Sequence, residues 1–295
     1  MEFLDAKTIL SRNQNPDGWY GADYNMNLYR GCPHGCIYCD SRYDVYHVNN
    51  FDVVKSKKNV LELLRKELKS KRSRGVVGIG AMSDTYNPME KKYLITRGAL
   101  KLLLRYGYGV SIDTKSNLIL RDIDLLEKIN EINDVIIKIS ITTPYDNLSK
   151  LIEPNVCSPS SRFNVVHKLS DVGIFAGVMM LPVLPFITDS VSSIRDMVKL
   201  SYENGARFIY TMMAVSLRSN QKKYYYEKLD ESFPGLRSKY EQLDNYNYRY
   251  ASSNERELWS VFKEECDKYG LLYDMDDIIK AYKKENRKDV QTTLF

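Results

Sequence analysis

The chain predicts an α/β fold organised on one parallel sheet, and three observations predict it. From about residue 24 to 215, short β-rich runs alternate with segments of helical periodicity. The runs are nearly continuous in apolar and β-branched residues, as strands buried on both faces require. Most of the unusual residues follow those runs, and parallel sheets gather ligands at the carboxyl ends of their strands.

Taken in order, the expected strands are Asn25–Arg30, Val76–Met82, Gly109–Thr114, Val135–Ile141, Ile174–Met180 and Arg207–Met213. Between the first two, Val60, Leu63, Leu64 and Leu68 recur at helical spacing, and Leu100, Leu103 and Leu104 repeat the pattern before the third. Asp124 is expected to cap a helix through Leu125, Leu126 and Ile129, and Asp189 to cap the helix after Ser190. Such alternation implies βαβ units with right-handed crossovers. Six units suit an open doubly wound sheet or a partial barrel, and periodicity does not choose between them.

After about residue 216 the texture changes. Gln221–Lys228 (QKKYYYEK), Asn245–Tyr250 (NYNYRY) and Glu255–Lys284 read as polar, Tyr-rich helices and loops. The division expected is a barrel-like body over 1–215 and a helical extension over 216–295 that packs on it.

Composition sets the class. Of 295 residues, 43% are hydrophobic and 27% charged, as in a soluble globular protein. No stretch approaches the roughly 18 apolar residues of a membrane span. The start, MEFLDAKTIL, lacks the marks of a secretory signal, so a cytoplasmic location is expected. Five cysteines make an odd number, and three of them fall between 32 and 39. That clustering excludes a disulfide framework and points to metal. The net charge of +5 permits a polyanionic partner without requiring one.

The chemistry concentrates in Tyr29-Arg30-Gly31-Cys32-Pro33-His34-Gly35-Cys36-Ile37-Tyr38-Cys39, a C-x3-C-x2-C loop directly after the first expected strand. Three thiolates on one tight loop can hold three corners of an iron–sulfur cube. Gly31 and Gly35 let the backbone wrap closely around it. A fourth iron without a protein ligand would be an open coordination site. The alternative is structural zinc on three cysteines and His34, for which His34 is awkwardly placed between the first two cysteines.

This loop resembles that of the radical S-adenosylmethionine (SAM) superfamily. The residues around it resemble the spore photoproduct lyase-related branch. The resemblance runs from about Asn27 to Arg218. It includes Met82-Ser83-Asp84-Thr85-Tyr86-Asn87-Pro88-Met89-Glu90, Thr114-Lys115-Ser116, Arg121-Asp122, Glu153-Pro154, Arg162, Leu184-Pro185 and Asp189. It implies a partial (β/α)6 barrel of TIM type, a [4Fe–4S] cluster on Cys32, Cys36 and Cys39, and an electron donor of flavodoxin or ferredoxin type. Reductive cleavage of SAM would then give a 5′-deoxyadenosyl radical that abstracts hydrogen from a substrate.

The same resemblance implies roles for single residues. Tyr38 would lie near the adenine, Ser83 and Asp84 would bind the SAM amine, and Lys115 would meet the SAM carboxylate. Ser140 would contact the ribose or the methionine end. Glu90, Arg97, Arg121, Asp122, Glu153 and Arg162 are expected to form ion pairs that brace loops. Cys157 and Cys266 stand alone, and inert packing is the default for both; a radical relay is the alternative for Cys157. The cysteine that returns hydrogen in spore photoproduct lyases corresponds to about Ala81, and no cysteine occurs between 40 and 156. Asp40 also stands where those lyases have a tyrosine.

Two readings concern partners. Lys222, Lys223, Tyr224, Tyr225, Tyr226, Tyr246, Tyr248, Arg249 and Tyr250 combine cations with rings, as single-strand binders do, or else form a covering helix and a packing strip. The last residues, Gln291-Thr292-Thr293-Leu294-Phe295, resemble the bacterial sliding-clamp-binding peptide. The functional expectation is a radical SAM enzyme whose substrate the sequence does not identify, nucleic acid being the first candidate. The alternatives are a non-catalytic iron–sulfur or zinc protein docked on replication or repair machinery, and a radical SAM enzyme that modifies a protein or metabolite.

Overall fold

The apolar runs pair in parallel, each feeding one strand into a single sheet. The computed structural model describes residues 1–243 and 248–283. In chain order the strands are β1 (Glu2–Leu4), β2 (Leu10–Arg12), β3 (Tyr24–Met26), β4 (Tyr29–Arg30), β5 (Lys55–Lys57), β6 (Val76–Ile79), β7 (Gly109–Thr114), β8 (Val135–Ser140), β9 (Phe175–Met180), β10 (Ile209–Thr211), β11 (Ala214–Ser216) and β12 (Arg249–Ala251). The helices are α1 (Val60–Ser70), α2 (Glu90–Tyr93), α3 (Ile95–Tyr106), α4 (Ile123–Ile132), α5 (Asp146–Ile152), α6 (Pro159–Asp171), α7 (Val191–Glu203), α8 (Ser219–Ser232), α9 (Leu236–Gln242), α10 (Glu255–Tyr269) and α11 (Met275–Tyr282). Among the described residues no helix is long and apolar enough to cross a membrane.

The main sheet runs β10-β9-β8-β7-β6-β3-β2, parallel from β3 to β10 with β2 antiparallel at the edge. Each parallel strand lies beside its predecessor in the chain, so the winding never reverses. A doubly wound sheet requires a switch point; six strands turning one way make a partial (β/α)6 barrel.

Side-chain alternation then divides the sheet. Val77, Ile79, Val110, Ile112, Ile137, Ile139 and Val178 face the helices and join the main core. On the other face, Val76, Ile136 and Met179 join Tyr20, Phe208, Ile278 and Tyr282. Tyr282 reaches in from α11 and donates to the Tyr20 carbonyl at 2.6 Å, so the C-terminal helix closes the amino end of the barrel interior. The helix layer follows from spacing: Val60, Leu64 and Leu68 lie at i, i+4, i+8 on α1, and Ala99, Leu100 and Leu103 at i, i+1, i+4 on α3, all buried. Each buried valine or leucine contributes roughly 1.5–3 kcal/mol.

Four expectations are corrected. Asn25–Arg30 is not one strand: the chain leaves the barrel after Met26, and Tyr29–Arg30 pairs antiparallel with β5 in a separate sheet, β1-β5-β4. Ser56 secures that exit by donating to the Leu28 carbonyl at 2.9 Å. Strand β6 stops at Ile79 because Gly80 turns at φ +103°, where a Cβ would stand 2.1 Å from the Asp113 carbonyl. Asp124 lies inside the first turn of α4 and pairs with Arg97 at 2.8 Å, while Asp122 takes the N-cap position. The cap of α7 is Ser190, not Asp189, with its hydroxyl accepting from the Ser193 N–H at 3.1 Å.

The segment after 216 packs against both ends of the barrel. Its strand β12 pairs with β11, which ends at Ser216, and α10 lies along α7 through Leu258, Phe262 and the fully buried Cys266. Tyr225, Tyr226, Tyr240 and Tyr250 form one cluster with Cys36, Ile37, Tyr38, Ile152 and Leu184. Three rings of the expected stacking surface, Tyr225, Tyr226 and Tyr250, are therefore buried, while Tyr248 is exposed. Tyr246 and the tail Gln291–Phe295 lie outside the described residues.

Candidate functional site

The loop that carries Cys32, Cys36 and Cys39 crosses the carboxyl ends of the strands and is clamped from several sides. Gly31 adopts φ +75°, and a Cβ there would stand 2.5 Å from the Val53 carbonyl and 2.6 Å from that of Phe51. The Cys32 N–H donates to Phe51 at 2.7 Å, and the Ser83 hydroxyl donates to the Gly31 carbonyl at 2.6 Å. Gly35, at φ +70°, lies against Pro154 and Asn155. Asn155 donates to the carbonyls of His34 and Pro33 at 3.1 and 2.9 Å, and Ile37 donates to that of Ile152 at 3.0 Å. Only glycine fits these two contacts at these angles.

Inside this clamp Cys32 and Cys36 are buried and Cys39 is half-buried. Burial, with the Asp84 charge adding to it, pushes the Cys32 thiol up to about 12. Burial raises Cys36 and Cys39 as well, against the opposing pull of Lys115. Among the described residues no three His, Cys, Asp or Glu side chains form a group for one metal ion.

Asp84 is a hub at the end of β6. One carboxylate oxygen accepts from the Tyr86 N–H at 2.8 Å and the Thr114 hydroxyl at 2.7 Å. The other accepts from the Lys115 N–H at 2.8 Å and stands 3.6 Å from His34 Nδ1. The carboxylate thus ties the β6 loop to the end of β7 and to the cysteine loop. Lys115 is half-buried, with Nζ 5.7 Å from the Tyr38 ring centre. Burial disfavours its ammonium, Cys36 and then Glu153 favour it, and the balance lies above the ordinary lysine value.

Tyr38 belongs to a network that sequence reading divided among separate residues. Its hydroxyl meets Glu153 and, at 2.8 Å, Thr142. Glu153 pairs with the fully buried Arg162 at 2.6 Å, and Arg162 donates to the Ser140 carbonyl at 2.7 Å. Burial pushes the Glu153 carboxyl up, but Arg162 and Lys115 outweigh it and hold the group below the ordinary glutamate value. So Tyr38, Lys115 and Ser140 share one wall at the ends of β7 and β8. Cys157 joins them: its thiol donates to the Lys115 carbonyl at 3.1 Å.

The expected loop brace is present. Arg121 bridges Glu90 and Asp122 at 2.7 Å each, and Arg97 pairs with Asp122 at 2.7 Å. Sequence reading missed a second charged group in the barrel interior. Lys138, in the apolar run Val135–Ser140, donates to Asp113 at 3.0 Å and to Ser111 at 2.8 Å. A lysine amid five residues that are otherwise aliphatic or strand-ending was the available signal.

The family model described as the Radical SAM superfamily matches residues 26–200. An uncharacterized protein of Mycobacterium tuberculosis is 30% identical over 227 residues, covering 75% of this chain and 66% of its own length. An uncharacterized protein of Methanocaldococcus jannaschii is 34% identical over 175 residues, covering 59% of this chain and 66% of its own. The chain thus spans just under two thirds of the length of these relatives. A solved spore photoproduct lyase complexed with dinucleoside spore photoproduct aligns with a TM-score of 0.63 at 12% identity, covering 90% of this chain and 79% of that one. A radical SAM methyltransferase from Kitasatospora setae, with tryptophan and a SAM analog bound, aligns with a TM-score of 0.54 at 12% identity, covering 82% and 51%. At these identities the structural likeness is one of fold.

Proposed function

The chain belongs to the radical SAM superfamily, and on that premise we propose that it is an enzyme that removes a hydrogen atom from a nucleic-acid substrate. Membership implies a [4Fe–4S] cluster and SAM. The observation that carries the proposal is the convergence of the clamped cysteine loop with Lys115, Asp84 and Tyr38 at the carboxyl ends of β6 and β7.

The residues present suit both groups. Cys32, Cys36 and Cys39 are three soft donors on one loop, and two positive-φ glycines hold that loop against its neighbours. Burial keeps the free thiols protonated; the charge of bound iron reverses that preference. Bound there, the cluster would supply one electron that splits SAM, and the adenosyl fragment would take the hydrogen atom.

The remaining work falls to this chain. The Lys115 ammonium suits a carboxylate through charge-assisted hydrogen bonding. Asp84 positions Lys115 through its backbone N–H, and the same oxygen, 3.6 Å from His34 Nδ1, faces the cysteine loop, where a carboxylate suits an amine. Ser83 fixes the Gly31 carbonyl, and Tyr38, locked by Glu153, offers a ring face against an adenine. Ser140 ends the same wall.

The net charge of +5 favours a polyanionic substrate, and the aligned lyase was solved with a dinucleoside photoproduct. The absence of a cysteine near Ala81 argues for a different reaction from that lyase's. An electron donor of flavodoxin or ferredoxin type would reduce the cluster. The tail Gln291–Phe295 would dock on a sliding clamp, a reading that fails if clamp affinity is unchanged by its deletion. Anaerobic reconstitution tests the central claim: about four iron per chain and release of 5′-deoxyadenosine on reduction are expected. Zinc content without SAM cleavage would overturn it.

A further inference from the structure

Inside the barrel, four polar side chains that the SAM-facing wall does not use stand together. Asp113 and Lys138 project from the inner faces of β7 and β8 and pair at 3.0 Å; Ser111 accepts from the same ammonium at 2.8 Å. Tyr20, fully buried, lies over them with its ring centre 4.6 Å from Lys138 Nζ. The Tyr20 hydroxyl is within electrostatic reach of the Asp113 carboxylate and of Tyr210.

Hydrogen bonding in this group is incomplete. Among the described residues, Asp113 Oδ1 is buried and has no hydrogen-bond partner, and the Tyr20 hydroxyl is likewise buried without one. Two in one cluster, an acceptor and a donor, leave hydrogen-bonding capacity that a molecule from outside the chain can complete.

The surroundings say what completes it. Asp113 and Lys138 cancel each other's charge, so the site favours an uncharged group over a phosphate. Beside it stand Trp19, 47% exposed, and Tyr210 on β10, one edge of the sheet. Their rings meet edge to face at 5.6 Å, and each also contacts Tyr20, at 5.2 and 5.9 Å. The chain at Leu272 pairs with the start of β10, so the partly open Trp19 ring is the face that suits a planar ring arriving from solvent. A nucleobase edge carries donors and acceptors side by side and can satisfy both orphans. An indole ring offers one N–H and leaves the tyrosine hydroxyl unmatched.

We infer that Asp113, Lys138 and Tyr20, flanked by Trp19 and Tyr210, form a substrate subsite that takes one unstacked nucleobase into the barrel interior. This rests on the nucleic-acid reading of the function and makes it local. The base would lie in the barrel, away from the cluster of Tyr225, Tyr226, Tyr240 and Tyr250.

Fluorescence anisotropy of the reconstituted protein, with unreduced cluster and saturating SAM, tests this using labelled single-stranded DNA and RNA octamers of mixed sequence. The arm that binds more tightly identifies the nucleic acid. Two variants probe the subsite: Tyr20→Phe, which removes only the orphan hydroxyl, and the double variant Asp113→Leu, Lys138→Met, which replaces the charge pair with apolar groups of similar size. Binding of the preferred octamer is expected to weaken about fivefold in the first and about tenfold or more in the second. SAM affinity, read by calorimetry on the same variants, is expected to move far less. A parallel loss of SAM affinity would assign the group to the cofactor and overturn the inference. So would unchanged octamer binding in both variants. Failure of the unmodified protein to bind either octamer would also overturn it, while iron content and 5′-deoxyadenosine release would still judge the broader function separately.

Discussion

Two of the buried charged groups among the described residues differ in how completely they are satisfied. Around Arg121, every carboxylate oxygen has a partner. Glu90 accepts from Arg121, Tyr29 and the Thr96 N–H, and Asp122 accepts from Arg121 and Arg97. Inside the barrel, Asp113 is met on one oxygen only, and Tyr20 Oη on none. The first group ties the β6 loop to the entry of α4, where any missing bond would weaken the frame that carries Asp84. The second lies on the inner faces of β7 and β8 with hydrogen-bonding capacity left over. The difference is between carboxylates fully engaged in a brace and one that keeps an oxygen free.

The largest expected effect lies in the saturated group. Arg121→Met would leave two fully buried carboxylates short of their shared guanidinium. Breaking a buried pair costs about 3–5 kcal/mol, and since Arg121 is itself 24% exposed the lower end, about 3 kcal/mol, is expected. Urea denaturation of the reconstituted protein measures it. A loss under about 1 kcal/mol would erase the distinction between the two groups.

A smaller effect is expected in the barrel. Lys138→Met removes the ammonium that donates to Asp113, whose carboxyl burial already pushes above the ordinary aspartate value despite Lys138. That group can take up a proton instead of standing charged and alone, so a loss of about 2 kcal/mol at neutral pH is expected. The sign of the pH dependence follows. A carboxyl raised in the folded state binds more protons folded than unfolded, so stability falls as pH rises from the ordinary aspartate value, about 3.9, toward the raised one. The variant should therefore regain stability as pH is lowered from 7 toward 5, over the range where the cysteine loop and cluster stay intact. A flat or opposite profile would show that Asp113 is not the group left unpaired. The double variant Asp113→Leu, Lys138→Met is expected to fall within about 1 kcal/mol of the unchanged protein.

The contrast also explains what the sequence disclosed. The barrel was legible because its strands are continuously apolar and its helices carry leucines at regular spacing. Six strands were found, yet the choice between barrel and doubly wound sheet had to wait for the strand order. The cysteine loop and the residues that follow β6 and β7 were legible through motif spacing and resemblance. Three things were not. The split of Asn25–Arg30 depends on Ser56 and β5, about thirty residues away. Tyr38, Glu153 and Arg162 were each singled out, but their union needs α5 and α6 folded onto β8. Asp113 and Lys138 sit in strands whose hydrophobic pattern hides them, and Tyr20 comes from a turn with no periodicity at all. Local patterns record local geometry; a site assembled from three separated segments leaves only its odd residues as a trace.

The smallest expected effect is also the sharpest. Tyr20→Phe removes a hydroxyl that has no partner, so nothing in the fold is broken. The ring keeps its contacts with Phe208 at 5.7 Å and with Lys138. Stability is expected to change by less than about 0.5 kcal/mol, with a slight gain more in keeping than a loss, because a buried unsatisfied hydroxyl is itself a cost. Thermal denaturation of the unliganded protein reads this directly. A loss above about 1 kcal/mol would mean that the hydroxyl is bonded within the fold after all, and the barrel interior would then be as saturated as the brace around Arg121. A neutral result, joined to weakened octamer binding, would separate the two groups by what each is for: one holds the loops that carry the cofactor, the other waits for the base.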